Sequence, residues 1–262
     1  MSTERGIEIT RREALATLAV ASAAALTGCA GAQAERPAAS SPTIPGDKTM
    51  SYGNALSADH KVVPLPFAPG SLNGLSEKLI TSHHENNYGG AVKNLNKVEQ
   101  ELAQITPDTP AFVVTALRDK ELTFRNSKSL HELYFANLGG NGKRSGAIES
   151  ALAASYETSA RWEQHMRATA SGLGGGSGWA VLAFELDSGA LRTVAAGNHT
   201  QTLAVSIPLL VMDMYEHAYH LDFGAAAARY IDAFFANVSW DVVNARLERA
   251  QQARTALRGV YS

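Results

Sequence analysis

The chain has 262 residues, 45% hydrophobic and 18% charged, a globular composition that can bury a sizeable core and excludes collagen-like and wholly disordered classes. Lys and Arg number 23 against 25 acidic residues, and a net charge of −2 offers no basic field to a phosphate backbone, which excludes general nucleic-acid binding. A single cysteine excludes an internal disulfide framework and multi-cysteine metal clusters, so a metal would have to use His, Asp and Glu.

The N-terminal segment reads as an address. Residues 10–29 are TRREALATLAVASAAALTGC. Arg11-Arg12 lead an apolar run from Ala14 to Leu26, too short to span a bilayer comfortably but suited to the core of an export signal. Twin arginines mark such signals, although Ala14 and Ala16 stand where Phe and Lys are usual. The run closes on Leu26-Thr27-Gly28-Cys29, which resembles a bacterial lipobox. That resemblance implies cleavage before Cys29 and acyl chains on it, enough for stable membrane anchoring. An N-terminal amphipathic helix with a free cysteine is the alternative. Residues 1–28 are thus expected to be the signal peptide of an exported, periplasmic or cell-surface lipoprotein. Residues 29–63, rich in Ala, Ser, Pro and Gly, read as a flexible tether.

The folded part begins with a helical pattern from Leu75 to Gln104, capped by Ser76 or Asn73 and ended by Thr106-Pro107. Gly89-Gly90 inside it costs about 1 kcal/mol per glycine relative to Ala, which points to a kink or close packing. A second helix is predicted from Pro110 to Asn137, stopped by Gly139-Gly140-Asn141-Gly142. The pair suggests an antiparallel hairpin over residues 64–142. A further helix is predicted over Ser145–Ala170. Strands follow at Trp179–Leu186, Leu191–Ala196 and Leu203–Met212, the first two joined by a tight turn at Asp187-Ser188-Gly189. Met214–Leu221, Ala225–Asn237 and Trp240–Arg258 read as helices. The order predicts an α+β fold: a helical hairpin, then a C-terminal domain over 143–262 with a small three-stranded antiparallel sheet among helices.

Of eight histidines, His60 in the tether and His165 on a polar helix read as solvated surface. The sharpest motif is Asp213-Met214-Tyr215-Glu216-His217-Ala218-Tyr219, directly after the apolar strand Ile207–Met212. An Asp at the end of a buried strand is costly unless paired or metal-bound. His217, four residues on and one helical turn away, faces the same point. The motif alone fits either a metal site or an Asp helix cap beside a core histidine.

The resemblance becomes specific when several ordered segments are taken together. The stretch from Leu75-Ser76-Glu77 through His83-His84 to Asn94-Leu95-Asn96 resembles the first helix of the iron/manganese superoxide dismutase family. His131-Glu132-Leu133-Tyr134-Phe135 resembles its second-helix ligand segment. Gly176-Ser177-Gly178-Trp179 is similar to the start of its first strand. Asp213-x-x-Glu216-His217-Ala218-Tyr219 is similar to its signature, and Val238-Ser239-Trp240 to its C-terminal Val-Asn-Trp. The resemblance covers about residues 64–258. It implies His83, His131, Asp213 and His217 as ligands of one Fe or Mn ion per subunit, a net positive site that favours an anion. Glu216 is implied to bond the ligand histidine of a second copy across a two-fold axis, giving a homodimer through Glu216-His217. His199, where most members carry Gln and some carry Asn-His, is implied to hydrogen-bond solvent at the metal.

The chain also departs from the family. Asn87 replaces a His four residues after the first ligand, and Ala91 replaces a Tyr eight residues after it. Those residues form the family's substrate gate and proton-delivery chain. His220 replaces a Tyr of the same chain and is expected to take over part of it; Tyr88 is expected to lean toward the gate. An Arg near the funnel mouth is lost within Ala225–Ala228, and Phe135 and Tyr215 stand where Trp is usual. The expected function is disproportionation of superoxide to O2 and H2O2 outside the cytoplasm, with His199, His220 and Glu216 supporting catalysis. The alternative is a metal-binding, dismutase-like envelope lipoprotein with little activity and a remodelled substrate entrance.

Overall fold

The computed structural model describes residues 53–257 and Gly259. The expected signal peptide, the Cys29 anchor and most of the tether therefore lie outside the described residues. The last part of the expected tether departs from a flexible linker. Ala58 N–H donates to Glu99 Oε2 at 2.7 Å, and His60 N–H to Asn96 Oδ1 at 2.9 Å. The His60 ring donates to Glu99 Oε1 at 2.8 Å, and Arg125 Nη2 reaches the same oxygen at 2.6 Å. His60 is thus a partner of the buried Glu99 rather than a solvated residue.

The first predicted helix is one continuous rod with a flaw. Helix α1 (Glu77–Ser82) passes through a π-helical turn (His83–Tyr88) into α2 (Gly89–Ala103). Ser76 caps α1 by accepting from Leu79 N–H at 3.1 Å, and is itself held by both carboxylate oxygens of Asp222 at 2.7 Å. Residues five apart point to different faces of an α-helix, but the wider π turn brings His83 and Tyr88 to the same inward face. Both are buried at 1% exposure. From there the inward face continues through Ala91, Val92 and Leu95. The distortion lies just before Gly89-Gly90; a Cβ on Gly90 would meet nothing within 4 Å, so close packing does not explain that glycine.

Helix α3 (Ala111–Ala136) returns beside α2, completing the hairpin. The expected single helix over 145–170 is two: α4 (Ala147–Tyr156) and α5 (Ser159–Leu173). The break is Glu157, at φ 70°, followed by Thr158, whose side chain caps α5 by accepting from Arg161 N–H at 3.0 Å. Strands β1 (Trp179–Glu185), β2 (Leu191–Ala196) and β3 (Ser206–Asp213) form an antiparallel sheet in the order β2-β1-β3. The β1–β2 turn uses Gly189 at φ 75°, with its N–H on Glu185 O at 2.8 Å. The expected helix over 214–221 is a 3-10 turn (Glu216–Ala218) followed by the short α6 (His220–Phe223). Helices α7 (Ala227–Ala236) and α8 (Trp240–Ala256) close the fold.

Two features aim these elements at one point. The register pairs Trp179 with Ala196 on one side and Asp213 on the other, so Trp179, Asp213 and the loop after Ala196 share one end of the sheet. Asn137, just past α3, accepts from Val211 N–H at 2.9 Å through its side chain and from Ser239 N–H at 2.7 Å through its carbonyl. This fixes the C-terminal half of α3 against β3.

Candidate metal centre

The inward face of the π turn, the C-terminal half of α3, the end of β3 and the 3-10 turn after it each deliver a donor to the same place. Nε2 of His83 lies 3.1 Å from Asp213 Oδ2, Nε2 of His217 lies 3.2 Å from it, and Nε2 of His131 lies 3.6 Å from it. All four donors fall within 4.8 Å of one another. Donors about 2.1 Å from a common centre and 90–120° apart sit about 3.0–3.6 Å from each other, so the spacing fits one first-row ion. The sequence argument for Asp213 and His217 rested on a helical turn. The structure brings them together differently, from a strand end and a 3-10 turn.

The surroundings leave this group no simpler purpose. His83, His131 and Asp213 are buried to 1% exposure or less. His131 Nδ1–H donates to Ser127 O at 2.7 Å, which sets its tautomer and leaves Nε2 a lone-pair donor. That Nε2 is buried and has no partner among the described residues, a costly arrangement for a plain core histidine. Burial, with nearby His83, pushes His131 down to about 3, and burial lowers His83 as well, so both imidazoles are neutral as ligands must be. Burial works against ionising Asp213, but hydrogen bonds from His217 and His83 overcome it and hold the carboxylate charged. Its Oδ1 accepts from Tyr215 N–H at 2.8 Å and its backbone carbonyl from Tyr230 OH at 2.7 Å, which leaves Oδ2 for the imidazoles.

His199 flanks the cluster. Its ring centroid lies 6.4 Å from that of His131 and 4.8 Å from that of Tyr215, on which it stacks. Tyr215 in turn stacks on His217 at 5.4 Å, making a His199-Tyr215-His217 column. Trp179 Nε1–H donates to His199 Nδ1 at 3.0 Å. Phe135 keeps an aromatic wall at 5.0 Å from the His83 ring.

Glu216 and His220 are exposed, and neither side chain bonds another described residue. Within one chain they lie outside the four-donor cluster. The expectation for Tyr88 needs correction. Its ring stacks on His131, with centroids 6.1 Å apart, but its hydroxyl donates to Glu132 Oε1 at 2.6 Å and accepts from Val63 N–H at 2.8 Å. The hydroxyl is committed to Glu132 on α3 and to Val63, in the segment 58–63 that straps onto α2 through Glu99 and Asn96, and is not offered at a gate. The contributions of Ser127, Glu132 and Tyr230 were not legible in the sequence. The one available signal was Ser127 standing four residues before His131, where a helix brings its carbonyl to the ring.

The sequence is also similar to those of known proteins. Residues 144–246 match the family model for the C-terminal domain of iron/manganese superoxide dismutases. The chain is 44% identical over 192 residues to a superoxide dismutase [Fe] of Cupriavidus metallidurans, covering 73% of this chain and 98% of that protein. It is 34% identical over 209 residues to a superoxide dismutase [Fe] of Aquifex aeolicus, covering 76% and 97%. It is 32% identical over 200 residues to superoxide dismutase [Mn] 1 of Halobacterium salinarum, covering 74% and 98%. The chain belongs to the iron/manganese superoxide dismutase family.

Proposed function

We propose that this protein is a superoxide dismutase that holds one iron or manganese ion per subunit through His83, His131, Asp213 and His217. The observation that carries this reading is the convergence of three imidazole nitrogens on Asp213 Oδ2 at 3.1–3.6 Å. A carboxylate ringed by imidazoles, one of them orphaned, is a poor core and a good cage for a borderline ion. When bound, the ion supplies the one-electron chemistry that turns superoxide into O2 and H2O2.

The chain's own residues orient and screen. Asp213 brings the only negative charge to the cage, so the loaded site is net positive and attracts an anion. Trp179 holds His199 with its proton on Nε2, where it is a hydrogen-bond donor. The column His199-Tyr215-His217 fixes that ring relative to a ligand. With Asn87 and Ala91 at the gate positions and the Tyr88 hydroxyl engaged elsewhere, protons reach the site through water rather than through a tyrosine. That same loss favours a second reading, a metal-loaded relative with little dismutase activity.

Two finer parts belong to the proposal. A ligand histidine whose side chain is 26% exposed, beside the exposed Glu216 and His220, supports a homodimer in which a second copy covers this face. The order Arg11-Arg12, apolar run and Cys29 supports export and lipid anchoring outside the cytoplasm. Metal per subunit, measured on protein loaded separately with Fe and Mn, tests the cage. About one ion is expected and its loss in His131→Ala; no bound metal overturns the assignment. Labelled lipid on the parent but not on Cys29→Ala tests the anchor, and a Cys29→Ala variant that stays equally membrane-bound overturns it.

A further inference from the structure

Behind His199, on the side of the loop that meets α3, lies a cavity of about 220 Å³ between α3 and the sheet. It exists for a local reason. The β1–β3 ladder breaks register between Leu182 and Ala183, opposite Pro208, which has no N–H to give the ladder. Ala183 and Pro208 both line the cavity, so at this break in the ladder the sheet presents only a methyl and a pyrrolidine ring to it. Leu130 from α3 and Val181 and Val194 from the sheet make the apolar walls. No Lys, Arg, Asp or Glu is among the described residues that line it.

One end is polar. Asn126 lines the cavity, and its Nδ2 donates to His199 O at 2.8 Å, tying the loop to α3. Its Oδ1 accepts from no described residue, so it is left as an acceptor. Size then limits the occupant. A cavity of ~150 Å³ takes a benzene ring, and drug-sized ligands need upwards of about 300 Å³. We infer that this cavity is a binding site for a single-ring, uncharged phenol-like molecule, its ring against Leu130, Val181 and Val194 and its hydroxyl donating to Asn126 Oδ1. Charged molecules are excluded because no opposite charge would offset their desolvation. The inference does not depend on the metal, so it can fail while the dismutase reading stands, and the reverse.

Phenol itself is the probe. Equilibrium dialysis of radiolabelled phenol against the metal-loaded protein should show one saturable site per chain below about 10 mM. Ala183→Leu fills the cavity from the sheet and should weaken binding at least tenfold. Ser129→Phe, on the exposed face of α3 at the cavity rim, should do the same without touching the core. No saturable binding overturns the inference. So does phenol binding to Ser129→Phe with the affinity of the parent, which keeps the test decisive even if Ala183→Leu does not fold.

Discussion

Trp179 Nε1 donates to Nδ1 of His199 at 3.0 Å, and this one bond determines which nitrogen of His199 carries the proton. An indole N–H only donates, so Nδ1 must accept and the proton must sit on Nε2. Burial also lowers the His199 pKa, which keeps the ring neutral and this arrangement intact near neutral pH. Trp179→Phe keeps the aromatic wall but lets His199 take either tautomer. Turnover should fall several-fold with metal content unchanged, and steady-state rates beside metal analysis of the same sample check it.

Removing the metal should destabilise the fold. A ligand at 1,000 times its dissociation constant contributes about 4 kcal/mol, and the cage without it keeps a buried imidazole nitrogen unsatisfied. Thermal unfolding of the chelated protein should begin several degrees below that of the loaded one. Asp213→Asn removes the only charged ligand and should lower metal affinity at least tenfold; because the fold holds this carboxylate charged, the metal-free protein should also lose stability at neutral pH. Calorimetry and metal competition read both.

The metal-free protein should also be acid-sensitive in a stated window. His131 is held at about 3 in the fold by burial and by His83, below its value in an unfolded chain of about 6.5. Between those values the unfolded chain binds the extra proton. Stability is therefore fully present above about pH 6.5 and declines as pH falls toward 3, by up to about 1.4 kcal/mol per pH unit for this group. Denaturant midpoints of chelated protein from pH 7 to pH 4 test the slope. His131→Gln should flatten it.

Tyr88 links the strap to the centre. Tyr88→Phe keeps the ring on His131 but removes the hydroxyl from Glu132 and from Val63 N–H. A loss of about 1 kcal/mol is expected, concentrated in the strap. Faster amide exchange at residues 58–63, with metal content unchanged, is the signature.

How much of this was legible depends on how local each cause was. Leu191–Ala196 was read to the residue because a turn glycine and a short apolar run bound it. The four cage donors are legible because motif segments carry them, although Asp213 and His217 meet through a strand end and a 3-10 turn rather than across a helical turn. The split at Glu157 is hard to read because no Gly or Pro marks it: the chain turns on a positive φ at a non-glycine residue, and Thr158, which caps the next helix, is the one local signal. The role of Tyr88 was missed because a π turn shifts the inward face by one residue, and composition does not record such a shift. The strap looked like a linker because its partners, Asn96 and Glu99, are 36 to 41 residues away in sequence.

The most direct test of the central claim is the superoxide dismutation rate per bound metal, measured on the Fe-loaded and Mn-loaded protein with His131→Ala as the control. The account predicts catalytic turnover in at least one metal form and none in the variant, which keeps the fold but not the ion. Full loading with no turnover in either form would contradict it: the cage would stand, and the dismutase reading would not.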